Sequence, residues 1–267
     1  MLAKKIGFLG CGNMGRGILS GVIQHKIARP RDIFVYDIIH EKLREIKREF
    51  KVQTVKDAGS LVKRVGIVLL AIKPQDLGSA SHDIRKALTA RHLVITILAG
   101  VPIARIKKEL GSKIHVVRAM PNLGATVGEA VTAITSSKVG NLRVAEKIFS
   151  GCGSVLRLPE RYFDLVTALS GSGPAYFFYL IELLVREGVR NGLSEKAAAF
   201  LIKQTAKGSA LLAYQSQEPV SRLRQRVTSK RGTTEAALKT LEVRGFPGIF
   251  HQAITNAIRR AKQLGRK

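Results

Sequence analysis

Acidic residues are scarce in this chain: 19 Asp and Glu stand against 45 Lys and Arg in 267 residues, a formal net charge of +26. Aromatics make up only 6%, and there are two cysteines. Each shortage excludes something. A chain this basic is drawn to polyanions, so nucleic acid is the first partner to weigh. A surface for single strands needs aromatic platforms among its cations, yet the basic runs at 42–51, 222–231 and 259–267 contain a single aromatic, Phe50. We read the charge as solvated faces that also gather small anions, such as a cofactor with phosphates and a substrate with a carboxylate. No nucleic acid partner is expected.

Cys11 and Cys152 give neither a disulfide framework nor a metal-ligand spacing. Reduced thiols suit a cytoplasmic protein. The six histidines stand apart from one another and from any matched acid, which leaves no metal site and no nucleophile–base pair. Long apolar runs are missing as well, since no stretch approaches the roughly 18 residues of a membrane span. Lys4 and Lys5 before an apolar run imitate a signal peptide. Gly7, Gly10 and Gly12, then Asn13 and Arg16, break that run, so a strand entering a turn is the better reading. The expectation is a soluble, cytoplasmic chain with no membrane partner.

What is present is core material, 45% of the residues, in a length suited to two modest domains at about 150 residues each. Up to residue 159 short apolar runs alternate with amphipathic ones, the pattern of βαβ units and a parallel sheet. Strands are expected at 5–9, 33–37, 65–72, 92–98 and 114–119, with shorter edge strands at 132–135 and 155–158. Helices are expected at 13–27, 41–50 and 103–110. After Pro159 strand-like runs stop, and helices are expected at 174–191, 194–215, 219–226, 234–244 and 246–264. The predicted fold class is α/β: a Rossmann-type dinucleotide-binding domain, 1–159, then an all-α domain for dimerisation and substrate binding, 160–267. The helix from Pro174 is apolar almost all round to Val185, so it should be buried on most faces, with a subunit interface as the cause.

Gly10-x-Gly12-x-x-Gly15 follows a strand and opens a helix, the context that gives this short motif its meaning. Gly10 permits the tight turn, Gly12 lets the backbone approach a pyrophosphate, and Gly15 allows close helix–strand packing. Cys11 and Asn13 serve size and local hydrogen bonding. Asp37 ends the second strand, where an acid can bond the ribose 2′-hydroxyl of NAD. It repels a 2′-phosphate, while His40, Lys42 and Arg44 nearby offer positive charge to NADPH, so the cofactor is NADPH or NADH. Asp37 can also serve simply as a helix cap. Ala71, Lys73 and Pro74 lie at the carboxyl end of the central apolar strand, where ligands sit in open parallel sheets.

The second half offers helix starts rich in small residues. Thr233 or Thr234, after Gly232, can cap the next helix and leave backbone N–H groups for an anion such as a carboxylate. Hydride chemistry needs no triad, because the cofactor carries it.

Several motifs in order give the chain a resemblance to pyrroline-5-carboxylate reductases over nearly its whole length. They are Gly7-Phe-Leu-Gly-Cys-Gly-Asn-Met-Gly15, Leu70-Ala-Ile-Lys-Pro-Gln75 and Ile97-Leu-Ala-Gly-Val101. Further on come Arg118-Ala-Met-Pro-Asn122, Ala168-Leu-Ser-Gly-Ser-Gly-Pro-Ala-Tyr176 and Val227-Thr-Ser to Gly232-Thr-Thr234. The resemblance implies NAD(P)H-dependent reduction of 1-pyrroline-5-carboxylate to L-proline, the last step of proline biosynthesis. With Gly10, Gly12, Asn13, Met14, Gly15, Asp37, Ala71, Lys73 and Pro74 as the cofactor contacts read from the residues, it implies that Met120, Pro121 and Asn122 border the nicotinamide, while Asp37 departs from the family and leaves the cofactor preference open. Ser172, Ser229, Gly232, Thr233 and Thr234 would bind substrate, Thr234 catalytically, beside the ring nitrogen. A homo-oligomer is implied too, a dimer or a decamer built from dimers.

The chain departs from the family at Leu123-Gly124, where Thr-Pro is usual, and at Lys230-Arg231, where Pro-Gly or Lys-Gly often stands. Two rivals remain. The β-hydroxyacid dehydrogenases place a catalytic lysine on the first long helix of the second domain, but the first lysine after Pro174 here is Lys196. A non-catalytic or altered-substrate paralogue with a regulatory role would bind dinucleotide without this turnover.

Overall fold

The computed structural model describes residues 1–266. Two compact units form, Met1–Pro174 joined by the chain from Ala257 on, and Ala175–Asn256.

The first unit is built on one eight-stranded sheet. Its elements are β1 (Ile6–Leu9), α1 (Asn13–Gln24), β2 (Ile33–Tyr36), α2 (His40–Phe50), β3 (Gln53–Thr54), α3 (Ala58–Arg64) and β4 (Ile67–Leu70). Then come α4 (Leu77–Arg85), β5 (Leu93–Thr96), α5 (Ile103–Leu110), β6 (His115–Met120), β7 (Ala130–Thr135), α6 (Val139–Phe149) and β8 (Gly153–Arg157). The strand order is β3-β2-β1-β4-β5-β6-β7-β8. Pairing is parallel throughout except between β6 and β7. The chain starts in the middle, winds to one edge, then returns past β1 to build the other side. That reversal, between β1 and β4, opens a crevice at the strands' carboxyl ends.

Side-chain alternation explains the two covered faces. Ile6 and Phe8 of β1, Ile67 and Leu69 of β4, and Ile33 and Val35 of β2 join one core with α1, α2 and α6. Their neighbours Leu9, Val68, Leu70 and Phe34 point the other way into a second core with α3, α4 and α5. Both residue parities must therefore be apolar, and the strands read as continuous runs.

The elements at 58–64, 77–85 and 139–149 lie beyond the expected set. The first two, at seven and nine residues, are too short for an 11-to-18-residue periodic pattern to stand out, and the third, at 11, only just fills that window. A local signal existed for α3: the Asp57 carboxylate accepts the Ser60 N–H at 2.7 Å, an N-cap. The helix expected to reach residue 27 stops at Gln24, where Lys26 turns left-handed at φ 53.

Beyond β8 the described residues are helical: α7 (Phe163–Val166), a π turn (Thr167–Gly171), α8 (Gly173–Arg190), α9 (Glu195–Gln215), α10 (Val220–Arg226), α11 (Thr233–Val243) and α12 (Phe246–Arg266). One expectation is corrected here: the run Glu160–Arg190 is long and apolar enough, by length and composition, to cross a membrane. The π turn fuses α7 to α8, so the helix starts well before Pro174. Within the chain α8 is largely uncovered, with Phe177 69% and Tyr179 61% exposed.

An ion pair between buried Arg118 and part-exposed Glu160 ties the far side of the sheet. Arg118 on β6 is 5% exposed, and its Nη1 donates to Glu160 Oε1 at 3.2 Å. The same oxygen accepts the Ile103 N–H that opens α5, at 2.7 Å. The guanidinium also lies 4.8 Å from the centroid of the Phe163 ring. Burial pushes the Arg118 pKa down and Glu160 opposes it. Glu160→Ala would leave a buried cation and a backbone donor unpartnered, with an expected loss of about 2–3 kcal/mol. Glu49→Ala, which breaks a half-exposed pair with Arg16, should cost under about 1 kcal/mol. Urea denaturation midpoints compare the two; equal losses would contradict the assignment.

Candidate functional site

The crevice between β1 and β4 is a cleft of about 480 Å³. Gly10 shapes its floor. The backbone there has φ +89, and a Cβ would come within 2.6 Å of the Ala71 carbonyl oxygen. The Gly10 N–H donates to Tyr36 O at 2.8 Å, which binds the turn to β2. Gly15, one turn into α1, sits so close that a Cβ would lie 2.7 Å from the Gly10 oxygen.

Gly12 differs. Its φ of −67 and ψ of −170 suit any residue, and a Cβ there would meet nothing within 4 Å. The protein's own packing does not require a glycine at this point. A ligand that must touch the backbone does, and a dinucleotide pyrophosphate is such a ligand.

Asp37, 8% exposed, is fixed on both sides. Its Oδ2 accepts the Cys11 N–H at 2.8 Å, and its Oδ1 accepts the Ile39 N–H at 2.9 Å. It is not the cap of α2, whose N-cap is Ile39.

Of the expected cofactor residues, Gly10, Gly12, Asp37, Ala71 and Lys73 line this cleft together. Asn13, Met14 and Gly15 form the first turn of α1, and Pro74 starts a 3-10 turn; these four stay off the cleft wall. Sequence reasoning missed Ile38, Ile39, Asp76, Ser79 and Asp83, which do line it. Ser79 and Asp83 lie on α4, a helix the pattern did not reveal. Ile38 and Ile39 could have been found as the residues directly following an acid at a strand end.

Met120, Pro121 and Asn122 leave the carboxyl end of β6, separate from that cleft wall. A Cβ on Gly171 would lie 2.5 Å from Met120 Cε, so the small residue lets the π turn before Ser172 seat on this segment. Ser172 donates its N–H to Thr167 O at 2.8 Å. Asn122 Oδ1 is buried with no hydrogen-bond partner, an orphan acceptor that fits a ligand bearing N–H groups.

In the second unit, Gly232 is the N-cap of α11, and Thr233 and Thr234 are its first two residues. The threonines are therefore not the caps. Thr234 is half-buried and Thr233 exposed. Gly232 has room only for hydrogen, because a Cβ would strike Ser229 Oγ. Arg231 takes φ 61 and donates its N–H to Glu235 Oε2 at 2.6 Å. That left-handed conformation is one that glycine adopts without strain.

Both cysteines are free and buried. Burial, then the Asp37 charge, pushes the Cys11 pKa up to about 12, and burial pushes Cys152 up to about 11. A raised thiol pKa keeps the proton on the folded form, so reactivity should appear only on unfolding or as pH rises toward those values. Native protein at pH 8 should resist iodoacetamide at both sites in a mass-spectrometric count, whereas urea-unfolded protein should take up two groups. Rapid native labelling would contradict the buried turn.

Residues 160–264 match the family model for pyrroline-5-carboxylate reductase dimerisation. Residues 5–100 match the model for NADP oxidoreductase, coenzyme F420-dependent. The pyrroline-5-carboxylate reductase of Methanosarcina acetivorans is 36% identical over 99% of both chains. The structure of that enzyme from Coxiella burnetii superposes with a TM-score of 0.90, at 34% identity and full coverage of both chains. Plasmodium falciparum pyrroline carboxylate reductase, crystallised with NADP bound, gives a TM-score of 0.90 at 30% identity and 99% coverage of each. Full-length similarity at this level, with the two halves matched in order, places the chain in the pyrroline-5-carboxylate reductase family.

Proposed function

We propose that the chain reduces 1-pyrroline-5-carboxylate to L-proline with NADH or NADPH, the last step of proline biosynthesis. The observation that carries this reading is Gly12, a glycine with neither backbone strain nor a crowding neighbour of its own. Family membership over the full length supplies the substrate.

In this reading Gly10, Gly12, Asn13, Met14 and Gly15 hold the pyrophosphate, Asp37 the adenine-side ribose, and Ala71 and Lys73 the cleft wall, with Pro74 opening the turn that sets Lys73 in place. Met120, Pro121 and Asn122 border the nicotinamide. When bound, the reduced nicotinamide supplies a hydride for the imine carbon. The ring nitrogen takes a proton and becomes the secondary amine of proline. Ser172, Ser229, Gly232, Thr233 and Thr234 bind the substrate. The amides opening α11 receive its carboxylate, and Thr234 sits by the ring nitrogen. Functionally the chain divides at Pro159, a reading supported by the sheet's last strand ending at Arg157 and by the dimerisation match from residue 160.

The protein is a homo-oligomer acting on a small molecule. The exposed Phe177, Phe178 and Tyr179 of α8 support dimers joined through the helical segment, assembled further into decamers. On this reading the Glu160–Arg190 run covers a partner copy and not lipid, the protein is cytoplasmic, and it binds no nucleic acid.

Purified protein should oxidise NADH or NADPH only when 1-pyrroline-5-carboxylate is added, with proline appearing in equal amount. Dinucleotide binding without turnover would instead favour the regulatory paralogue. Thr234→Ala should lower kcat/KM by tenfold or more, about 1.4 kcal/mol of barrier, with little change in dinucleotide affinity; an unchanged rate removes Thr234 from its role. Gly12→Val should abolish dinucleotide binding while leaving stability within about 0.5 kcal/mol. Gly10→Val should unfold or strongly destabilise the turn. Loss of stability in the Gly12 variant would mean that the glycine serves the fold.

A further inference from the structure

The two possible cofactors differ by one phosphate on the adenine-side ribose. The molecule's overall charge of +26 attracts both, and NADPH with its extra phosphate the more, so discrimination in favour of NADH must come from what stands at the end of β2. There the cleft reverses the sign of the protein around it. Its wall carries three carboxylates, Asp37, Asp76 and Asp83, against two lysines, Lys42 and Lys73. Neither His40 nor Arg44 lines it. In a chain with more than twice as many basic as acidic residues, this is a local excess of negative charge.

The nearest carboxylate cannot swing aside. The Cys11 N–H holds one oxygen of Asp37 at 2.8 Å and the Ile39 N–H holds the other at 2.9 Å. Each oxygen keeps a lone pair for a ribose hydroxyl, which can donate a hydrogen bond; a 2′-phosphate cannot donate at neutral pH and brings like charge. The two residues after Asp37 are aliphatic: Ile38 is 77% and Ile39 44% exposed, and both line the cleft. They offer an apolar surface to an adenine ring and no donor to a phosphate. The amino end of α2 pulls the other way, but Asp37 stands directly before it.

We propose that this chain is an NADH-selective enzyme, with Asp37, locked between the Cys11 and Ile39 amides, as the group that excludes the 2′-phosphate and Ile38–Ile39 as the accompanying apolar rim. The inference rests on the dinucleotide reading of the cleft given above. Its test is direct binding: titrate the full-length protein separately with NADH and NADPH and read each dissociation constant by calorimetry. NADH should bind at least tenfold more tightly. Asp37→Ser should shrink that ratio, but it also releases two backbone donors and can disturb the turn. Ile38→Arg avoids this, because the side chain is exposed and neither anchor is touched; it should move the ratio at least fivefold toward NADPH. Equal or tighter binding of NADPH to the natural chain overturns the selectivity, and if turnover with 1-pyrroline-5-carboxylate persists the proposed function stands. Failure of both dinucleotides to bind overturns the selectivity and the cleft reading together.

Discussion

At Gly10 the chain leaves β1 in a left-handed turn, gives its N–H to Tyr36 at the end of β2, and brings its α-carbon against the Ala71 carbonyl just beyond β4. Three strands meet at that residue. The Cys11 amide is thereby aimed at Asp37, Gly15 can seat on the Gly10 oxygen, and α1 starts at the mouth of the crevice. A side chain at Gly10 would force β1 and β4 apart, and the cleft between them would lose its floor. Gly12, two residues later, answers to a different demand, since nothing in the protein fills the space beside it. The pair separates what the fold needs from what the ligand needs.

Much of the first unit could be read from the sequence because doubly covered strands are apolar at both parities, as in Ile67 to Leu70. The glycine turn was legible for a related reason: its requirements are backbone requirements and leave residue-type marks. The short helices α3, α4 and α6 left no comparable mark, and with α4 went the cleft residues Ser79 and Asp83. Capping at α11 was misread because Gly232, not a threonine, ends the loop. A threonine before a helix is a local signal, but so is the tight turn in which Gly232 donates its N–H to Ser229 O at 3.0 Å, and the turn decides where the helix starts.

The second unit shows what a sequence pattern cannot separate. An all-round apolar helix reads as buried whether its own chain or a second copy covers it. Here α8 exposes Phe177 and Tyr179, and α9 exposes Phe200 and Tyr214. Few side chains of this unit are buried by the chain itself, Ala198 among them. Such a unit has too small a core of its own to be stable alone, which fits a homo-oligomeric family. The Glu160–Arg190 run, long and apolar enough by composition to cross a membrane, includes this exposed helix.

The central claim is that a reduced dinucleotide held at the β1–β4 crevice passes hydride directly to a cyclic imine. The most direct test supplies NADH carrying deuterium at the transferring position, together with 1-pyrroline-5-carboxylate in ordinary water, and locates the label in the product by mass spectrometry. One deuterium on the ring methylene next to nitrogen in proline, the former imine carbon, is the result the account predicts. Unlabelled proline, with deuterium retained in the oxidised cofactor or lost to water, would contradict it.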